Sequence, residues 1–104
     1  MGYIIVFITA GSAREAEDIA RLIVKKKLAA CANIIAGVKS VYTWKGKLEE
    51  SRESLIIAKT KAGLFRRLEK AVKTAHSYEC PEIVAFPVRY ASSDYLKWIG
   101  EVTA

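Results

Sequence analysis

The chain alternates between apolar runs and amphipathic stretches, and the change of period marks its elements. Tyr3 to Thr9 is a β-branched and aromatic run, the pattern of a strand buried on both faces. Gly11 breaks it, and Ser12 with Glu15 forms the S-x-x-E spacing of a capping box. In the helix that follows, Ala16, Ile19, Ala20 and Ile23 fall on one face. Its acids come early and Lys25, Lys26 and Lys27 come late, as the helix dipole favours. From Ala30 to about Trp44 the pattern is that of a strand interrupted at Gly37, where a bulge is expected. Lys45-Gly46-Lys47 makes a turn, and Leu48 to Thr60 returns as a third strand. Leu64, Leu68, Ala71, Val72 and Ala75 then line one face of a second helix. A strand from Ile83 to Tyr90 follows, and its Pro87 argues for a sheet edge because proline cannot donate to a central ladder. Ser92 or Ser93 caps a short terminal helix bearing Tyr95, Leu96, Trp98 and Ile99.

The order β-α-β-β-α-β plus a terminal helix predicts an α+β, ferredoxin-like sandwich within one domain, residues 1–104. Right-handed crossovers put the first and third strands in the centre and the second and fourth at the edges. Each arm of the hairpin formed by the second and third strands exceeds a dozen residues, about 40 Å at about 3.3 Å per residue, too long for a domain of this size to cover. Its edge strand carries Ile34, Ile35, Val38, Val41, Tyr42 and Trp44. An apolar edge of that length aggregates unless it is paired, and a closed ring of identical subunits leaves no edge free.

Composition changes this picture little. With 52% hydrophobic and 27% charged residues among 104, the chain is an ordinary globule able to bury a core unaided. The apolar run Ile4 to Ile8 is far too short to cross a bilayer. Two distant cysteines, Cys31 and Cys80, fit a reducing cytoplasm better than a disulfide framework. The net charge of +6 raises nucleic-acid binding, but the bases are dispersed and interleaved with acids. An RNA-recognition domain of the same strand order needs stacking aromatics on its third strand, where this chain has Glu49-Glu50-Ser51-Arg52-Glu53-Ser54-Leu55. Neither a nucleic-acid nor a membrane partner is expected. No phosphate loop and no nucleophile with a base is visible, so no enzyme is expected either.

Candidate chemistry concentrates in His76-Ser77-Tyr78-Glu79-Cys80-Pro81-Glu82, between the second helix and the last strand. Imidazole, thiolate and carboxylate together suit a soft or borderline ion, with His76, Cys80 and Glu82 as the donors. The same histidine can instead cap the helix C-terminus or hydrogen-bond across an interface. Cys31 reads either as a ligand or as a small buried hydrophobe. Lys59 and Arg52 read either as an anion site or as cross-strand partners of Glu49 or Glu53.

Five segments together resemble the CutA divalent-ion tolerance family: Leu28 to Ile34, Ser40 to Lys47, Lys59-Thr60, His76 to Ile83, and Tyr95 to Ile99. The resemblance covers essentially the whole chain. It implies a cytoplasmic homotrimer similar in architecture to the PII nitrogen-signalling proteins and a part in tolerance of copper and other divalent ions, with Cu2+ or Zn2+ bound weakly and no cofactor required. Copper-binding bacterial relatives carry a cysteine where this chain has Ile8 and a second histidine where it has Ala75, so only His76 remains of that set. The alternative implied is a PII-like sensor of small molecules or anions, with an intersubunit cleft lined by Cys31, Lys59 and Tyr78 beside His76 and Glu82. Tyr42, Trp44 and Trp98 are the residues expected at the trimer interface.

Overall fold

Strand β1, Tyr3–Ala10, occupies the middle of the sheet. Its even positions Ile4, Val6, Ile8 and Ala10 are buried beneath the helices, and its odd positions Ile5 and Phe7 face the other side half-covered. The expectation of burial on both faces is therefore met on one face only within this chain. The computed structural model describes residues 2–104. Helix α1, Ala13–Lys25, starts where the Ser12 hydroxyl accepts the Glu15 N–H at 3.1 Å. Glu15 closes the other half of the cap on the Gly11 N–H, one residue earlier than a standard capping box. The helix ends in a Schellman turn: Leu28 N–H reaches Ile23 O, Lys27 N–H reaches Val24 O, and Lys27 takes a left-handed φ of 61°.

Strands β2, Cys31–Trp44, and β3, Lys47–Lys61, form the long hairpin. Lys45 and Gly46, both at positive φ, make a two-residue turn of the kind that matches strand twist. The register slips by one residue between Ile35 and Val38, where Gly37 at φ 74° supplies the expected bulge. A 3-10 turn at Ala62–Leu64 leads into α2, Phe65–Ala75, which buries Leu68 and Val72 against the same core as α1. Strand β4, Ile83–Pro87, is shorter than the expected run to Tyr90. Pro87 has no N–H to extend the ladder, and only Val88 adds one more bond, to Tyr3 O. Helix α3, Ser93–Val102, is capped by Ser92, whose hydroxyl accepts the Tyr95 N–H.

The sheet order is β2-β3-β1-β4, all pairs antiparallel, as the crossover rule requires. One face is closed by α1 and α2. On the other face, β1, β3 and β4 present Ile5, Phe7, Ile57, Val84 and Phe86, and Phe7 and Phe86 meet edge to face at 5.1 Å. The molecule measures 44 × 25 × 22 Å, because the hairpin runs out beyond the layers that cover its base.

Candidate functional site

The loop between α2 and β4 is fastened to the sheet at several points. His76 leaves the helix with an extended backbone, which turns its ring under the end of β1. Its Nε2 donates to Thr9 O at 2.7 Å, and its Nδ1 accepts the Tyr78 N–H at 3.0 Å. Those two partners assign a neutral ring with the proton on Nε2. The side chain is wholly buried. Glu15 holds the next residue: Oε2 accepts the Ser77 N–H at 2.8 Å and Oε1 accepts the Ser77 hydroxyl at 3.1 Å. Burial works to raise the Glu15 pKa, but the bonds from Ser77 and the Gly11 N–H outweigh it and hold the carboxyl below its ordinary value. Tyr78 then crosses Gly11, where an added Cβ would come within 3.1 Å of the phenol oxygen, and donates to Glu53 Oε2 at 2.8 Å. Burial, then the hydrogen bond to Glu53 and its charge, raise the Tyr78 hydroxyl well above its ordinary range.

Between this loop and the hairpin lies a cleft of about 660 Å³ lined by Tyr42, Trp44, Glu53, Tyr78, Cys80 and Glu82, among others. Partial burial and the nearby Glu53 charge raise the Glu82 pKa. Cys80 is an exposed free thiol. Among the described residues, no three His, Cys, Asp or Glu side chains are grouped closely enough to hold a metal ion. An ion at His76 would have to displace the Tyr78 N–H or the Thr9 carbonyl, because both ring nitrogens are engaged.

The other candidates lie further down the sheet. Cys31 sits opposite Lys59 in the β2–β3 register, four residues along β3 from the level of Thr9. The Cys31 thiol is 3.4 Å from the Tyr95 hydroxyl, and that contact, with burial, raises the tyrosine's pKa. Lys59 donates to Asn33 Oδ1 rather than pairing with Glu49 or Glu53. Trp98 packs against Tyr95 with centroids 5.6 Å apart. Tyr78 therefore shares the cleft with Tyr42 and Trp44, whereas Cys31, Lys59 and Trp98 gather near α3, and one chain does not bring the two groups together. Glu15 and Glu53, which anchor the loop, carried no such signal in the sequence: Glu15 read as a helix cap and Glu53 as a cross-strand partner.

A model of the family described as CutA1 divalent ion tolerance protein matches residues 4–102. The chain belongs to the CutA1 family. It is 41% identical over 99 residues to the divalent-cation tolerance protein CutA of Thermus thermophilus, covering 95% of this chain and 96% of that protein. It is 42% identical over 97 residues to the mouse protein CutA, covering 93% of this chain but 55% of the mouse protein. The chain thus spans about half the length of several of the mammalian CutA proteins it matches. The solved Thermus thermophilus CutA1 superposes with a TM-score of 0.96 at 40% identity, over 98% of this chain and 99% of that one. Oryza sativa CutA1 gives 0.97 at 36% identity, over 100% and 95%. No helix among the described residues is long and apolar enough to cross a membrane.

Proposed function

We propose that this CutA1 chain serves divalent-cation tolerance as a cytoplasmic homotrimer, a binding protein rather than an enzyme, holding Cu2+ or Zn2+ weakly at the loop from His76 to Glu82. Family membership supports the tolerance role. The loop supports the location: Cys80 offers a free exposed thiol two residues from the Glu82 carboxylate. His76 joins them when Nδ1 exchanges the Tyr78 N–H for the ion, and the loss of that bond keeps the affinity low. Water or donors of a neighbouring subunit complete the shell.

Calorimetry with Cu2+ and Zn2+ tests this on the wild type, Cys80→Ser, Glu82→Gln and His76→Ala. Binding is expected to weaken in each variant and on acidification, since protons compete with a metal ion for its donors. Equal affinity in all four proteins would sink the site and leave the tolerance role resting on the family alone.

The trimer draws its support from the uncovered apolar surface. Ile35, Val84 and Phe86 on the open sheet face, with Val41, Tyr42, Trp44 and Leu48 on the hairpin, are all at least 40% exposed in one chain. A PII-like ring in which the hairpin from Val38 to Ser54 pairs with its neighbours would cover both regions, with Tyr42, Trp44 and Trp98 at the contacts. Light scattering at micromolar concentration should give the mass of three chains, and a monomer would refute the assembly.

A further inference from the structure

We propose that the outward face of α1 and α2 is a docking surface for an acidic, extended segment of a partner protein. The charge of the molecule is unevenly spread. Residues 13–27 and 62–75, the two helices and their flanking turns, hold nine of the 17 bases and four of the 11 acids, and so +5 of the formal net +6. Dispersed along the sequence, these bases are gathered by the fold, because α1 and α2 lie side by side on one face of the sheet. That face is opposite the one presenting Ile5, Phe7, Val84 and Phe86, so the proposed subunit contacts leave it free.

Helical spacing sets the bases in rows. On α1, Arg14, Arg21 and Lys25 recur opposite the buried Ala16, Ile19 and Ile23; on α2, Arg66, Lys70 and Lys73 lie opposite the buried Leu68 and Val72. The α1 row runs about 16 Å at about 1.5 Å per residue, and helices packed side by side stand about 10 Å apart. Arg14 meets Asp18 at 3.7 Å, and Arg66 and Lys73 share the Glu69 carboxylate at 3.0 and 3.4 Å. Glu69 thus shows what the face accepts, and a shallow depression of about 330 Å³ lies beside it, bordered by Arg66, Lys70, Lys73 and Thr74. Arg21, Lys25, Arg67 and Lys70 have no ion-pair partner among the described residues, which leaves four bases for carboxylates from outside.

The rest of the face selects the kind of anion. Asp18 and Glu69 stand within the rows and repel a continuous phosphate backbone, whereas a peptide can set neutral residues against them. Among the described residues of the two helices, no aromatic ring is exposed to stack on a base, and Val24 is the one large apolar side chain exposed, too little to enter a membrane.

The test is fluorescence anisotropy of a labelled oligoglutamate peptide titrated with the full-length protein, with an oligoserine peptide as the neutral control. A chelator in the buffer keeps metal ions from bridging peptide and protein. Saturable binding is expected with oligoglutamate alone, and it should weaken as salt is raised. The double variant Arg21→Gln with Lys70→Gln should weaken it several-fold. Arg89→Gln with Lys97→Gln removes the same charge from outside the helix layer and should leave it unchanged. All four side chains are exposed and outside ion pairs among the described residues, so both double variants should keep the fold. Absence of saturable binding, or an equal loss in the two double variants, would overturn the proposal. Tighter binding of a short DNA duplex or of phosphatidylserine vesicles would overturn it too, and would assign the face to a nucleic acid or to a membrane.

Discussion

At the scale of single residues, His76 shows how one side chain supports two readings. In the sequence it is the only imidazole, set among a thiol and carboxylates; in the fold both its nitrogens are engaged and its ring is buried. Glu15 makes the fastening tight, because one carboxylate serves both the α1 cap and the Ser77 N–H. Glu15→Gln should cost about 1–2 kcal/mol, measured by urea unfolding at pH 7, since it weakens charge-assisted bonds at a cap. The pH dependence has a definite sign. A carboxyl held lower in the folded state stabilises the fold above its unfolded pKa, near 4.5, and loses that contribution as pH falls through the lower folded value. The gap between wild type and Glu15→Gln should therefore narrow on acidification below about 4.5; a constant gap would mean that the charge plays no part. Tyr78→Phe should cost about 1–2 kcal/mol as well, because it strips the buried Glu53 carboxylate of its phenol donor. A thermal scan showing no loss would place the Glu53 carboxylate in contact with water.

At the scale of elements, the helices and the hairpin were legible because local chemistry and tertiary packing agree there. The S-x-x-E cap, the 3.6-residue stripe of α2, Gly37 at the bulge and the Lys45-Gly46 turn all found their places. Strand β4 ends three residues short of the expected Tyr90, because Pro87 ends the ladder although apolar Val88 and aromatic Tyr90 continue the pattern. The loop's anchors escaped because Glu15 and Glu53 lie 62 and 25 residues from their partners Ser77 and Tyr78, and no local period reports such a contact. The α1 Schellman turn was also hidden, because Lys27 occupies the left-handed position that glycine favours. Lys27→Gly should therefore stabilise the protein by about 0.5–1 kcal/mol in urea unfolding, the strain of a Cβ at φ 61° outweighing glycine's extra chain entropy. A destabilised variant would show that the Lys27 side chain supplies something its backbone conformation does not reveal.

At the scale of the whole molecule, the asymmetry of the sheet is what asks for an assembly. Its helix face holds Val6, Ile8, Ile56 and Ala58 at zero exposure, whereas Val84 and Phe86 on the opposite face remain 45% and 42% exposed. The length and apolar edge of the hairpin point to a subunit contact there; the open face behind β1 and β4 is a second exposed apolar surface, which the proposed trimer would cover. Burying what remains exposed of a phenylalanine contributes about 1–2 kcal/mol per copy, and a charge left in its place would face its equivalents in an already basic assembly. Phe86→Lys should therefore dissociate the protein in sedimentation velocity, more so on dilution and less so at high salt, which screens the repulsion. Far-UV circular dichroism should stay unchanged, because Phe86 points away from the core beneath α1 and α2. Leu48→Lys, at a hairpin position 74% exposed, separates the two surfaces. If Phe86→Lys sediments as the wild type does while Leu48→Lys dissociates, the hairpin alone holds the subunits together and the open face is covered by something other than a second copy.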